Sequence, residues 1–221
     1  MPRRKQILAT NEIYHIYDRT VGHENIFSSK RELGRIINLI DYYRFSHKVR
    51  YSQFRLLSED QQKVYLAKVH KQVPLIEIYA FSLMPNHYHF LLQQLQNRGI
   101  LLFISTLQNS YAKYYNIKNK RHGTLFQSPF KAKRIESDEE LIHISRYIHL
   151  NPVTSYLLEF DSLTTYPWTS FISYTKESPY RFMNSKKILS LFRSYEQYYK
   201  FVADQSDYQR KLGVIKHLVF D

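Results

Sequence analysis

Two histidines separated by a single residue, His87 and His89, lie in an apolar run where an extended segment is expected. Side chains alternate between the faces of a strand, so residues two apart point the same way. Both imidazoles would then project together and could bind one divalent metal ion, because histidine is the commonest metal ligand. Histidines so spaced also occur as plain polar surface residues, so the pair alone leaves both interpretations open.

A second group with chemical potential lies in the segment 143–153, which we predict to be helical. Residues four apart share a helix face, so His143, Tyr147 and Asn151 form one stripe. A tyrosine beside a metal-bound phosphate can attack it and form a covalent phosphotyrosine. Its ordinary pKa of about 10 means that its proton must be removed with assistance. The Asn151 side-chain oxygen suits a hard ion such as magnesium or manganese.

Each of these helical residues also has a simpler interpretation. Tyr147 is equally compatible with a core aromatic on an amphipathic helix, and the chain contains 20 tyrosines. Asn151 precedes Pro152, where we expect the helix to stop, so it is also a candidate C-terminal cap. Spacing alone does not choose between these roles.

The elements that must position these residues alternate in a recognisable order. The order β-α-β-β-α-β followed by a helix is that of a ferredoxin-like α+β fold, an antiparallel sheet with helices packed on one face. Periodicity and turn residues place the boundaries. We predict strands at 11–20, 75–83, 87–94 and within 124–135, and helices at 29–46, 99–119 and 138–150.

The predicted catalytic domain spans residues 1–175. Within it, residues 50–73 are charged and partly helical, and they enlarge the first crossover as an insertion. Residues 176–221 are more polar and form a predicted C-terminal helical extension. The insertion and the extension are each open to three roles, namely DNA contact, a partner surface or packing.

Composition narrows the class of protein. The 221 residues are 43% hydrophobic and include five glycines, as expected of a globular chain. No apolar run approaches the roughly 20 residues that cross a bilayer. The absence of cysteine excludes disulfides and thiolate zinc sites. We therefore expect a soluble, cytoplasmic protein without a membrane partner.

The charge balance points to a polyanionic partner. Thirty-two lysines and arginines against 19 acids give a formal charge of +13. Such a surplus favours nucleic acid, because neutralising phosphates releases counterions, although a basic surface can also serve solubility. Tyrosine and phenylalanine rings offer faces on which unpaired bases stack. The candidate DNA-binding residues form a basic N-terminal arm and a cluster before the last helix: Arg3, Arg4, Lys5, Lys118, Lys120, Arg121, Lys131, Lys133 and Arg134.

Five segments in order carry a family resemblance. They are YHIYDR at 14–19, MPNHYHFLL at 84–92, GTLFQ at 123–127, RYIHLNPV at 146–153 and YPWTS at 166–170. Together they resemble the REP-associated tyrosine transposases, within the single-tyrosine HUH transposases of small bacterial insertion sequences. The similarity covers roughly residues 8–175.

The resemblance implies an enzyme that cuts and rejoins single-stranded or hairpin DNA. His87 and His89 match the metal-binding pair, Tyr147 the nucleophile, and Asn151 the residue that completes a magnesium or manganese site. Attack by Tyr147 would give a 5′-phosphotyrosine and a free 3′-hydroxyl. The expected location is the bacterial cytoplasm, on the nucleoid when DNA is bound. The resemblance leaves open a monomer or a homodimer, and whether the tyrosine helix serves its own chain or a partner.

Three other functions are weaker. A domesticated DNA-binding protein that no longer cuts has no need of His87, His89 and Tyr147 together. A small metallohydrolase would call for an acidic cluster that the sequence lacks. A structural helper would leave the charge of +13 without a purpose.

Overall fold

A four-stranded antiparallel sheet with the strand order β2-β3-β1-β4 forms the centre of the protein. The structure is a computed structural model that describes residues 7–175 and 178–205. The strands are β1 (Ile13–Arg19), β2 (Ile76–Met84), β3 (His87–Gln94) and β4 (Lys131–Arg134). This order is the one expected of a ferredoxin-like β-α-β-β-α-β unit, so the predicted α+β fold class is confirmed.

Eight α-helices occur in the described residues, together with two short 3-10 turns at Val21–His23 and Phe160–Thr165. None of these described helices combines the length and the apolar composition that crossing a bilayer requires. The helices are α1 (Lys30–Tyr43), α2 (Tyr51–Phe54), α3 (Glu59–Val69), α4 (Gly99–Lys118), α5 (Asp138–Thr154), α6 (Ile172–Thr175), α7 (Lys186–Leu189) and α8 (Tyr195–Ala203).

Serine side chains cap the N-termini of α1 and α5. The Ser29 hydroxyl accepts a hydrogen bond from the Glu32 backbone N–H, and the Glu32 carboxylate accepts one from the Ser29 N–H. This capping box satisfies two N–H groups that the first helical turn leaves unpaired. At the start of α5, the Ser137 hydroxyl accepts from the Glu140 N–H at 3.1 Å.

The predicted end of α5 at residue 150 is wrong, because the helix continues through Pro152 to Thr154. An interior proline removes the hydrogen bond that its own nitrogen would donate, and its ring crowds the carbonyl four residues earlier. The turn after it is closed by the Ser155 N–H, which donates to the Asn151 carbonyl at 3.0 Å. Burial of Pro152 and Val153 stabilises this last turn. Asn151 is therefore a helix-interior residue and not a C-terminal cap.

Alternation along the strands separates two faces of the sheet. On one face, Tyr14, Ile16 and Phe90 are buried in the core that also contains residues of α1 and α4. The two helices of the ferredoxin-like unit thus pack on one face, as predicted. On the other face, Leu91 and Ala80 pack with residues of α5 in a second core. The odd-numbered polar residues of β1 and β3 lie on this second face.

The insertion and the C-terminal segment both pack against the rest of the protein. In the insertion, Tyr51 and Phe54 are buried beside Tyr42 of α1, with ring centroids 5.2 and 5.0 Å from it. In the segment 178–205, Ile188 and Tyr198 are fully buried in the core that contains α5. The described part of the predicted extension therefore helps to hold α5 in place.

His149 joins α5 to this C-terminal segment. It is completely buried, and its Nδ1 and Nε2 atoms lie 2.8 Å from the hydroxyls of Tyr198 and Ser170 respectively. Burial lowers the pKa of His149 to about 3. The imidazole is therefore neutral in the folded protein at neutral pH and acts as a structural link.

We expect His149 to make the folded state less stable as the pH falls below about 6.5. Above that value both states hold a neutral imidazole, and below it only the unfolded chain takes up the proton. For one such histidine, each further unit by which the pH falls lowers the free energy of unfolding by about 1.4 kcal/mol, until the pH reaches the pKa of the folded state. Urea unfolding measures the free energy of unfolding at pH 6.5 and at pH 5. We expect the difference between these two values to be about 2 kcal/mol smaller in His149→Gln than in the wild type. The same change at the exposed His122 is the control, and an equal effect in both variants would contradict the assignment.

Candidate active site

Two neighbouring strands place a row of polar residues on the second face of the sheet. His87 and His89 of β3 pair with Arg19 and Tyr17 of β1 across the antiparallel ladder. His15 lies two residues before Tyr17 on β1, so its side chain points to the same face of the sheet. The predicted common orientation of the two β3 histidines is confirmed, with their ring centroids 5.2 Å apart.

Helix α5 crosses this face and brings Tyr147 to the histidines. The Tyr147 ring centroid lies 5.6 Å from that of His89 and 5.9 Å from that of His15. The residue remains 39% exposed. In this structure of a single chain, α5 and the histidines that it meets belong to the same chain.

A cavity of about 290 Å³ opens beside these residues. Two cations, Arg19 and Lys131, belong to its wall, and positive walls attract anionic ligands such as phosphates. The Lys131 ammonium also lies 5.8 Å from the centre of the Tyr17 ring. The complete lining is Tyr17, Asp18, Arg19, His87, His89, Gln127, Lys131 and Tyr147.

Both histidines of the pair present an Nε2 atom that is available for a ligand. The His87 Nδ1–H donates to the Asn86 side-chain oxygen at 2.7 Å, since that oxygen can only accept. The His89 Nδ1 lies 2.9 Å from His15 Nε2. Neither Nε2 of the pair makes a hydrogen bond to another described residue. Outer partners on one ring nitrogen are typical of histidines that bind a metal through the other.

The electrostatic surroundings keep these imidazoles neutral. Burial, and then the charge of Arg19, lowers the pKa of His87 to about 4. Burial also lowers the pKa of His89 well below its ordinary value, with smaller contributions from His15, His87 and Arg19. Neutral imidazoles carry the lone pair that a metal ion requires. The donor set therefore fits a divalent ion.

Tyr147 is in a protonated state that needs assistance before it can attack. Burial raises the pKa of the Tyr147 hydroxyl, whereas the Asn151 side chain and the charge of Arg19 lower it. The phenol is therefore neutral at neutral pH, and a nearby positive charge would favour the phenolate.

The position of Asn151 differs from that of the histidines. It is buried one turn after Tyr147, and its amide Nδ2–H donates to the Tyr147 carbonyl at 2.9 Å. It does not contribute to the wall of the cavity. Within the described part of the chain, no group of three or more His, Cys, Asp or Glu side chains is placed to hold a metal ion. An amide oxygen is one further kind of protein ligand that suits a hard divalent ion.

The structure divides the predicted DNA-binding cations. Lys131 lines the cavity, and Lys133 follows on the same face of β4, paired with Glu140 at 2.6 Å. Arg121 and Arg134 form ion pairs with Glu24 and Glu12, both at 2.8 Å. Lys118 pairs with Glu32 away from this cavity, and Lys120 is exposed after α4. Arg3, Arg4 and Lys5 lie outside the described residues.

Four cavity residues were missed by reasoning from composition and spacing: Tyr17, Asp18, Arg19 and Gln127. Tyr17 and Arg19 alternate with Tyr14 and Ile16 along β1, and this period of two places them on the histidine face. Gln127 gives no such pattern. Its backbone N–H donates to the Arg19 carbonyl at 2.9 Å, a contact between distant segments.

Comparisons with known proteins agree with this geometry. Residues 43–151, which include His87, His89, Tyr147 and Asn151, match the model of the family described as IS200-like transposases. A solved REP-associated tyrosine transposase bound to a REP hairpin is 12% identical, with a TM-score of 0.52 over 79% of this chain and 86% of that chain. This second likeness shows a shared fold. No curated protein matches the chain significantly.

Proposed function

We propose that this chain is an IS200-like transposase that cleaves and rejoins single-stranded DNA through a phosphotyrosine formed at Tyr147. The observation that carries the proposal is the meeting of Tyr147 with His87 and His89 beside one cavity that also contains Arg19 and Lys131. A nucleophile, a pair of metal-binding atoms and two phosphate-binding cations are the parts that such a reaction requires.

His87 and His89 would hold a magnesium or manganese ion through their Nε2 atoms, and Asn151 would add its side-chain oxygen. The nitrogen of the same amide donates a hydrogen bond to the Tyr147 carbonyl. The bound ion supplies Lewis-acid stabilisation of the negative charge on the scissile phosphate. The adjoining cations Arg19 and Lys131 bind the same phosphate and keep it against Tyr147.

In the proposed step, the Tyr147 oxygen forms a bond to phosphorus while the bond from phosphorus to the 3′-oxygen breaks. The phenol proton passes to solvent, and the departing 3′-oxygen takes up a proton from water. The 3′ fragment is left attached through its 5′-phosphate. A 3′-hydroxyl of another strand reverses the step and joins the DNA. The phosphotyrosine ester conserves the energy of the broken phosphodiester bond, so the rejoining step needs no other energy source.

The substrate is single-stranded DNA or the unpaired foot of a hairpin. The exposed edges of Tyr17 and Tyr147 beside the cavity offer rings on which unpaired bases can stack. The similar solved transposase is bound to a REP hairpin, which supports hairpin DNA as the first substrate to test. We expect the protein to act in the cytoplasm, where chromosomal DNA is accessible.

A non-cleaving DNA-binding protein of the same fold is the second candidate. The absence of Asn151 from the wall of the cavity favours it, because the proposed third metal ligand then does not line the site with His87 and His89. The cations of the cavity would serve binding alone equally well.

Covalent capture distinguishes the two functions. Hairpin DNAs carrying a 5′ or a 3′ label are incubated with the protein and manganese, and then denatured and separated by size. The proposed enzyme gives a protein–DNA adduct that carries only the 3′ label and disappears with EDTA. Tight binding without an adduct under any metal would favour the binding protein.

His15 is expected to orient His89 as a positioning residue. When His89 binds a metal through Nε2, its Nδ1 carries the proton and donates to His15 Nε2, 2.9 Å away. Removing an outer partner of this kind weakens metal binding by about 10–100-fold. Titration calorimetry with Mn²⁺ should show this loss for His15→Ala, with partial recovery in His15→Gln, whose amide oxygen can accept the same hydrogen bond. Unchanged Mn²⁺ affinity in His15→Ala would contradict the role.

A further inference from the structure

A second cavity, of about 650 Å³, lies on the opposite side of the molecule from Tyr147. Its wall is formed by the outer surfaces of α1 and α4 and by residues 47–50 and Ser52, where the insertion begins. The inner surfaces of the same two helices pack on the sheet, so the sheet and this helical layer separate the two cavities. We call the second cavity the helical groove.

The helical groove is strongly basic. No acidic residue lines it, and only Lys118 among its cations forms a salt bridge within the described part of the chain, with Glu32. Concentrated cations without compensating acids produce a positive potential that attracts anions. The lining cations are Arg31, Arg35, Lys48, Arg50, Lys113 and Lys118.

Arg35 is held at the groove in an arrangement that leaves hydrogen-bonding groups unused. Its guanidinium carbon lies 4.8 Å from the centre of the Tyr51 ring and 4.9 Å from that of Tyr114. Such cation–π contacts fix the position of the guanidinium. Its Nε and the Tyr114 hydroxyl are buried without a hydrogen-bond partner among the residues that the structure describes. Buried donors of this kind are costly, and an anionic ligand would bring acceptors beside them.

The wall formed by residues 47–50 and Ser52 is fixed in place by aromatic packing. The His47 ring stacks on Tyr42 with centroids 3.5 Å apart, and its Nδ1 lies 3.1 Å from the Tyr65 hydroxyl. Tyr51, which supports Arg35, is buried. The groove is therefore formed before any ligand arrives, which reduces the entropic cost of binding.

We propose that the helical groove binds the phosphate backbone of a DNA segment other than the one at Tyr147. Its cations are distributed over two helices and a loop rather than gathered around one point, which suits a chain of phosphates. An enzyme that joins strands has to hold a second segment, so the choice of DNA rests on the proposed function. The groove thereby gives the insertion a role in DNA contact.

The test compares how DNA affinity depends on salt. Arg31, Lys48 and Lys113 are exposed, so the triple alanine variant removes three groove charges without disturbing the core. The control variant changes Lys68, Lys186 and Lys187, which are exposed elsewhere, and has the same net charge. Affinity for a long and a short fluorescent single-stranded DNA is measured over a range of salt concentrations.

We expect the groove variant to bind the long DNA more weakly, with the slope of log affinity against log salt reduced by about 2, since each phosphate contact on a single strand contributes about 0.7. Binding of the short DNA and all values for the control variant should remain close to wild type. Equal losses in both variants, or none in either, would overturn the proposal. The proposal would also be overturned if pyrophosphate or RNA competed for this binding better than DNA does. These measurements require no cleavage, so they test DNA binding by the helical groove even if Tyr147 forms no adduct.

Discussion

Tyr147→Phe should abolish the covalent protein–DNA adduct while leaving DNA affinity within about twofold of wild type. The change removes the attacking oxygen and keeps the ring that packs against His15 and His89. Loss of a nucleophile that no other group replaces lowers the rate by about 10³-fold or more. Denaturing gels of end-labelled hairpin DNA measure the adduct, and fluorescence anisotropy measures the binding.

Tyr17→Phe is the matched control, because Tyr17 is the other tyrosine in the wall of the same cavity. Its ring stacks on His15, with centroids 4.9 Å apart, and its hydroxyl is the alternative nucleophile in this part of the structure. Adduct formation should persist in Tyr17→Phe. An adduct that survives Tyr147→Phe but is lost in Tyr17→Phe would identify Tyr17 of β1 as the nucleophile instead.

His87→Ala and His89→Ala should each weaken Mn²⁺ binding by more than about 10²-fold, a larger loss than an outer-partner substitution produces. Each variant removes one of the two Nε2 atoms that no other described residue engages. Adduct formation should fall in parallel and recover partly at high manganese concentration. Titration calorimetry measures the affinity, and denaturing gels at several metal concentrations measure the adduct.

His122→Ala supplies the comparison, since His122 is exposed in the loop after α4 and does not line the cavity. His87 is also less buried than His89, so His87→Ala is the variant less affected by any loss of packing. Thermal unfolding of each variant separates metal binding from stability. Wild-type Mn²⁺ affinity in both histidine variants would remove the metal site from the proposal.

Local pattern accounts for most of the fold that was predicted. The starts of α1 and α5, capped by Ser29 and Ser137, and the turn before His87 depend on a few adjacent residues, so predicting these boundaries needs no distant contact. The predicted end of α5 was wrong because Pro152 disfavours a helix locally, whereas burial of the last turn in the second core favours the helix.

The sequence by itself determined that His87 and His89 share a face, because a strand repeats every two residues, and it placed Tyr147 one helical turn before Asn151. Only the tertiary structure decided which tyrosines meet the histidines and that His15, 74 positions away, contacts His89. It also decided that Lys131 lines the cavity while Arg134 pairs with Glu12. The physical reason is that periodicity fixes the direction of a side chain within its own element, whereas the partner it meets depends on how distant elements pack.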